Sequence, residues 1–423
     1  MNILIYRLRK SLIIILVLFS ISKLYSQDSS ISINILDENN INWWNNNNNY
    51  GLDTSQSYIN YRAGIFNSKT AFSGNFFLTP NHKKVLHIGE LYFSLKLKDN
   101  FSIKAGRYYR DFSQYLNDDL SSGSLLFSKN AQAMPKIGLI FKKKLKRLKN
   151  FNYELGFTNG LFDTNQFYSS SPFLHEKFAY LNFENKINSF GIGFVHEAMW
   201  GGTTTQGMGS GKQPSTFRDF LKVIISADGP WLEGEPHPNA LGNHLGIWDF
   251  YFIKKLENTN IKFYYQHFFE DTSSLRFANR FDGLWGVEIY NSSKKSNFLI
   301  EYLDTSNCCI DPPYQSDNYY WNYQYKSGWR YKGDIIGNPY INPQNSYFSE
   351  QIKLLHIGLS GKFYNDTYYK MIASRKINEN DKAKFGLFLT KKVFDNISLK
   401  LSLLKDKSVR TTQIGLIYHL NEN

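Results

Sequence analysis

The stretch Val85–Asp111, VLHIGELYFSLKLKDNFSIKAGRYYRD, decides the fold. From Gly89, Leu91, Phe93, Leu95 and Leu97 fall on one side, and Glu90, Tyr92, Ser94 and Lys96 on the other. Lys98-Asp99-Asn100 makes a turn, after which Phe101, Ile103 and Ala105 oppose Ser102, Lys104 and Gly106. Period 2 sends successive side chains to opposite faces of a strand. One face of this hairpin is therefore wholly apolar, while the other carries Glu and Lys. A soluble sandwich buries the apolar face; a membrane barrel turns it to lipid and keeps the polar face in its lumen. The hairpin alone fits both.

The rest of the chain separates them. Alternating segments recur at Ser30–Leu36, Tyr58–Phe66, Thr70–Thr79, Lys136–Lys143, Phe151–Thr158, Lys177–Asn185 and Phe190–Ala198. In the second half they fall at Leu245–Lys254, Asn260–Phe269, Leu284–Asn291, Phe298–Asp304, Leu354–Lys362, Thr367–Ser374, Lys384–Lys391, Ile397–Leu404 and Thr411–Leu420. Tilted segments of about 10 residues cross an apolar band of roughly 25 Å. The short turns fall on one side and the long connections on the other, provided Phe217–Ala227 does not cross. Phe217, Phe220, Leu221, Ile224 and Ile225 follow the spacing of a helical stripe, with Thr216 or Ser215 as its cap. The expectation is an all-β transmembrane antiparallel barrel of about 18 strands. Two helices, near 118–129 and 216–226, are expected to plug its lumen or periplasmic mouth; an amphipathic surface helix on an external loop is the other reading of either. Arg107 breaks the alternation, which a bulge after Gly106 or a place at the rim would explain.

Residues 1–26 read as a cleaved secretory signal, with Arg7, Arg9 and Lys10 ahead of apolar Ser11–Ile21 and small Ser26 at the cleavage point. Residues 27–423 then form a single outer-membrane domain. Removing the four signal cations, Arg7, Arg9, Lys10 and Lys23, lowers the formal charge from +13 to +9. Such a surface suits lipopolysaccharide or acidic polysaccharide, although a general bias toward Lys and Asn accounts for it equally. An aromatic content of 17% with a mean hydropathy of −0.42 suits alternating strands with aromatic girdles.

No catalytic signature is present: no G-x-S-x-G, H-E-x-x-H or phosphate-binding loop. The chain is expected to be no enzyme, to need no cofactor, and to bind no nucleic acid. His237 has acidic neighbours Glu233 and Glu235 but no second histidine at ligand spacing; a calcium site there is the weak exception to an expected absence of metal. Cys308 and Cys309 are adjacent and form no disulfide framework.

Aromatic and polar density gathers in Ser306–Phe348. Tyr314, Tyr319, Tyr320, Trp321, Tyr323, Tyr325, Trp329, Tyr331 and Tyr340 stand there among Asp311, Asp317, Arg330 and Asp334. Aromatic platforms with interleaved carboxylates and Arg suit the apolar faces and hydroxyl rims of sugars. Tyr319, Tyr320, Trp321, Tyr325, Trp329, Arg330, Tyr331 and Asp334 are the expected polysaccharide contacts. The competing reading makes them a girdle and a self-packed loop. Arg62, Glu90, Lys96, Lys104, Glu154, Asp249, Gln266 and Glu301 are the expected lumen lining, either lining a channel or pairing across it.

Several strings resemble the Wzi capsule-assembly family of outer-membrane lectins. They are Gly89-Glu-Leu-Tyr-Phe-Ser-Leu-Lys96 leading to Ala105-Gly-Arg107, Gly123-Ser-Leu-Leu-Phe-Ser-Lys-Asn-Ala131 with Pro135, and His196-Glu-Ala-Met-Trp-Gly-Gly202. Further on come Gly283-Leu-Trp-Gly-Val-Glu288, Glu301-Tyr-Leu-Asp-Thr305, Gly328-Trp-Arg-Tyr-Lys-Gly333 and Ile336-Gly-Asn-Pro339. The resemblance implies an 18-stranded barrel with a helical plug that binds surface polysaccharide and holds capsule on the cell. The sequence departs from barrel habit at Tyr418-His-Leu-Asn-Glu-Asn423, which lacks a terminal aromatic. A diffusion or substrate-selective porin is the alternative. The expected partners are surface or capsular polysaccharide, outer-membrane lipid and the barrel-assembly machinery, with the chain itself a monomer.

Overall fold

The computed structural model describes residues 28–36, 48–52, 57–79, 85–231, 238–270, 272–291, 296–307, 319–342, 351–363, 366–378, 382–406 and 409–420. The signal segment, the Glu233–His237 stretch and Cys308-Cys309 lie outside them. Eighteen strands form one sheet. They are β1 (Asp28–Leu36), β2 (Tyr58–Phe66), β3 (Thr70–Leu78), β4 (Leu86–Lys98), β5 (Phe101–Arg107), β6 (Pro135–Lys144), β7 (Phe151–Leu161), β8 (Phe173–Glu184) and β9 (Asn188–Trp200). The circuit continues with β10 (Asn243–Lys255), β11 (Thr259–Phe269), β12 (Gly283–Asn291), β13 (Ser296–Asp304), β14 (Lys353–Phe363), β15 (Thr367–Lys376), β16 (Lys384–Phe394), β17 (Ile397–Asp406) and β18 (Val409–His419). Each pairs antiparallel with the next, and β1 closes on β18 from Ser30↔His419 to Leu36↔Gln413. Closure removes the edges whose unpaired backbone groups lipid could not satisfy. Every segment expected from alternation is a strand of the ring. Among the described residues no helix is long and apolar enough to cross a membrane.

The alternation sorts the wall. Ile33, Phe93, Leu155, Leu181, Ile192, Phe263 and Leu399 are exposed on the outside, facing lipid. Inward positions carry polar groups, apolar groups such as Val195, Ile247, Leu284 and Leu299 that join the buried cluster, or glycines that leave room for rings to lie flat. Gly286 and Gly156 are two such places, where an added Cβ would come within 2.0 Å of the Tyr264 ring and 1.9 Å of the Phe178 ring. Short turns and both ends of the ring lie at one rim, the periplasmic one by the habit of such barrels; the long connections lie at the other. Arg107 sits at that outer rim. Gly106 there takes φ +129°, and the Arg107 guanidinium reaches Ala133 O at 3.0 Å and Tyr331 OH at 2.8 Å.

The two expected plug helices come out differently. Residues 118–129 are inside the lumen but are turns and bends, not a helix. Residues 216–226 do contain a helix, α1 (Phe217–Ile224), capped by Thr216. It lies outside the lumen. Its Phe220 packs on Trp200, His175 and Phe157, which share the outward parity of their strands. Phe217, Leu221 and Ile225 are 75%, 48% and 73% exposed, which no lumen plug would be. Outward-facing Lys177 donates from Nζ to Ile224 O, so the helix C-terminus takes up a cation the lipid face would otherwise carry bare.

Candidate functional site

The long connection between β5 and β6, residues 108–134, enters from the outer rim, dips toward the periplasmic half and returns. Its contacts account for most of the inward residues expected from sequence. Asp249 accepts from Ser113 Oγ at 2.5 Å, from Tyr180 OH at 2.5 Å and from Tyr115 OH. Glu301 accepts from Ser121 Oγ and Ser122 N, both at 2.6 Å, and from Tyr264 OH at 2.5 Å. Gln266 accepts from Leu125 N at 3.1 Å and donates to Ser113 Oγ at 3.0 Å. Lys104 pairs with Asp111 at 2.7 Å. Glu154 pairs with Lys142 at 3.2 Å, and Lys96 with Asp99 at 3.7 Å in the periplasmic turn. Arg62 donates to Tyr50 OH at 2.8 Å. Glu90 lies across from Asn75 on β3. All eight residues hold the inward parity, and four of them, Lys104, Asp249, Gln266 and Glu301, secure the inserted segment.

Sequence reasoning did not single out three further wall members of this network, Lys262, Glu288 and His356. Asn117 donates to Glu288 at 2.7 Å, Lys262 donates to Tyr115 O at 2.5 Å and to Glu288, and His356 Nε2 lies 2.6 Å from Leu120 O. Their inward parity was the available signal. Within the segment, Arg110 and Asp118 pair at 2.6 Å. Burial works against the Asp118 charge, but the Arg110 guanidinium prevails and holds its carboxyl below the usual range. Glu176 and Glu197 face each other across β8 and β9, both buried. Lys136 reaches Glu176 at 3.2 Å; both Glu197 oxygens lack a hydrogen-bond partner among the described residues.

A second external connection, residues 319–342, folds down on the first. Tyr320 OH donates to Leu125 O at 2.5 Å and accepts from Asn338 N at 3.0 Å. Asn338 Nδ2 donates to Gly123 O at 2.7 Å, Ser128 Oγ to Gly337 O at 2.6 Å, and Asn130 Nδ2 to Ile335 O at 2.8 Å. Leu120, Leu125, Leu126, Phe127 and Met134 pack with Trp329, Ile336 and Ile341 in one buried cluster. This changes the reading of the aromatic loop. Tyr319, Tyr320, Tyr325, Trp329 and Tyr331 are buried, so they build the cover and present no ring face to a sugar. Burial also pushes the Tyr320 hydroxyl well above its ordinary range, keeping it a donor. Trp321, Arg330 and Asp334 keep surface; Arg330 bonds Gly333 O at 3.1 Å and also Asn342. Lys326 Nζ sits 4.7 Å from the Trp321 ring centroid. Beside them an outer cavity of about 220 Å³ is lined by Lys212, Gln213, Asn239, Tyr323 and Gln324.

Beside the inserted segment the lumen stays open. A cavity of about 510 Å³ lies between that segment and the wall from β13 round to β3, reaching from Asn297 and Tyr368 near the short turns up to Tyr58 and Phe77, and one of about 340 Å³ lies on the opposite flank. The barrel is thus filled where the inserted segment bonds to its wall and hollow beside it. Among the described residues no group of three or more His, Cys, Asp or Glu could hold a metal.

The family model for capsule assembly protein Wzi matches residues 31–411, nearly the whole ring. The chain belongs to the Wzi capsule assembly family. With its closed 18-stranded wall, it is an outer-membrane β-barrel protein. No curated protein sequence matches it. Among solved structures it is similar to mutants of the Rhodopseudomonas blastica porin at 8% identity, covering 92% of this chain and 97% of the porin with TM-scores of 0.35 and 0.36. It is also similar to a loop L8 deletion mutant of OmpT from Vibrio cholerae, at 8% identity, 93% and 97% coverage and a TM-score of 0.33.

Proposed function

We propose that this protein binds surface polysaccharide at its outer face and helps attach or assemble capsule or exopolysaccharide there, without catalysis. The observation that carries the reading is the filled outer lumen. Residues 108–134 are bonded to the wall through Asp249, Gln266 and Glu301, and residues 319–342 cover them. A mouth so covered is a platform, not a passage, and this favours attachment over the diffusion-porin alternative. Contact with glycan falls to Tyr323 and Gln324 on the outer cavity and to Trp321, Lys326 and Arg330, which keep surface on the same connection. The chain acts as a monomer, exported through a cleaved signal over residues 1–26 and inserted by the barrel-assembly machinery. Lipopolysaccharide surrounds its outer wall.

Two measurements test this. Refolded protein should pull down polysaccharide shed by the producing cell, and Trp321→Ala with Arg330→Ala should weaken capture by about tenfold, the effect of about 1.4 kcal/mol. Capture unchanged by that pair removes the outer-face site. In a planar bilayer the protein should show no steady conductance; open channels of porin size would restore the alternative.

A further inference from the structure

We propose that the inner vestibule is a second binding site, for an acidic saccharide chain carrying carboxylate or phosphate groups and entering from the periplasm. Its volume of about 510 Å³ falls in the range of about 300–1,000 Å³ usual for ligand pockets. Four cations line it: Arg62 on β2, Lys370 on β15, Lys400 on β17 and Lys129 from the inserted segment. Two carboxylates face them, Asp118 and Asp119, and Asp118 is already bound to Arg110 at 2.6 Å.

The opposite half of the wall behaves otherwise. There Lys104 meets Asp111, Lys136 meets Glu176 and Lys262 meets Glu288, each an ion pair. Charges withdrawn from water are ordinarily matched in this way, because an unmatched one forfeits its solvation. Among the described residues, Lys370 and Lys400 have no carboxylate at ion-pair distance. The Phe388 ring lies between them, 4.7 Å from Lys370 Nζ and 6.0 Å from Lys400 Nζ. The missing anion is supplied by a ligand.

The lining says which kind. Tyr368, on the inward parity of Lys370, gives an exposed ring and hydroxyl, and Asn60, Asn297 and Gln413 give amides. Rings for C–H faces and amides for hydroxyls suit a sugar; acyl chains would find no apolar wall here. The site stands apart from the outer-face reading, because the two cavities share no lining residue.

Isothermal titration of the refolded full chain with an oligogalacturonate octamer tests the proposal. The octamer should bind, more weakly as salt rises. Maltooctaose and inorganic phosphate should bind at least about tenfold more weakly, a gap of about 1.4 kcal/mol. The double variant Lys370→Gln/Lys400→Gln should lose a similar factor, while Trp321→Ala should lose nothing. No octamer binding, equal binding of phosphate, or an unaffected double variant overturns the assignment. A loss confined to Trp321→Ala overturns it too and leaves the outer-face site standing. Amine acylation of the unaltered chain reads the same site without relying on a variant that folds. The octamer should shield Lys370 and Lys400 while Lys146, in the exposed turn after β6, reacts as before; unshielded amines overturn the proposal.

Discussion

Residues 118–129 and 216–226 are the two stretches between strands expected as plug helices, though only the second carries apolar residues at helical spacing. They end on opposite sides of the barrel wall, and only one is a helix. Thr216 and Asp219 form a reciprocal capping box, with Thr216 N donating to Asp219 at 2.9 Å, and Lys222 and Lys177 attend the other end. The 118–129 segment instead carries Ser121-Ser122-Gly123-Ser124, residues that compete for backbone groups or loosen them. The wall completes the effect. Glu301 takes Ser122 N, Gln266 takes Leu125 N, Tyr320 serves Leu125 O, and His356 lies on Leu120 O. A lumen lined with polar side chains supplies the hydrogen bonds that a helix would otherwise supply to itself. A buried segment there has no need to be helical.

Removing the inserted segment breaks the comparison most severely. Replacing residues 112–132 by a short Gly-Ser linker should turn a silent barrel into one with steady conductance in a planar bilayer, because the outer-half cluster loses Leu120, Leu125, Leu126 and Phe127. Deleting residues 217–224 should leave the barrel silent, since α1 lies outside. Conductance from the second deletion would place α1 in the lumen after all.

A single anchor should give the next largest effect. Glu301→Ala leaves Ser121, the Ser122 amide and Tyr264 without their shared acceptor, at a cost of about 1–3 kcal/mol for each buried donor left unsatisfied. The urea midpoint of the folded barrel, followed by its heat-modifiable mobility, reads this directly. A midpoint within error of the parent would mean that the segment is held by packing alone.

How far the sequence led follows from the same physics. Each strand faces lipid on one side and polar lumen on the other, so alternation in one short segment carries its full environment. Leu91, Phe93, Glu90 and Lys96 divided β4 into two faces, and the same pattern repeated along the chain turned the apolar face to lipid. The inserted and covering segments meet partners scattered over the chain. Ser121 meets Glu301, and Asn338 meets Gly123, and no local pattern announces either. Aromatic density misled in a related way. Tyr320 and Trp329 suit a sugar platform and a packed interior equally, and the turn at Gly328, φ +60°, that folds them inward leaves only a glycine in the sequence. Inward polarity was legible for Asp249 and Gln266; that both would be spent on the inserted segment was not.

Smaller changes sharpen the account of the outer helix. Thr216→Ala removes one arm of the capping box and should destabilise α1 by about 1 kcal/mol, leaving the barrel midpoint unmoved. Faster hydrogen exchange at the amides of residues 217–224 alone would show this. Exchange that speeds up across β7–β10 as well would make the helix a brace of the wall.

The smallest effect belongs to the external cover and depends on pH. Asp282 precedes β12 and accepts from Tyr319 OH at 2.9 Å, Asn307 N at 2.8 Å and Asn307 Nδ2 at 3.0 Å. Burial nevertheless pushes its carboxyl up to about 6. The folded loop therefore holds a proton there that the unfolded chain releases near 3.8, so raising the pH from 4 to 7 charges a buried group and weakens the fold locally. Amide exchange around Tyr319 and Tyr320, corrected for its intrinsic pH dependence, should be slower at pH 5 than at pH 7. Asp282→Asn should erase the difference, because an amide has no proton to lose in this range. A pH step that survives the substitution would assign it to another group. Faster exchange at pH 5 would mean that the three donors outweigh burial and that Asp282 holds the cover best when charged.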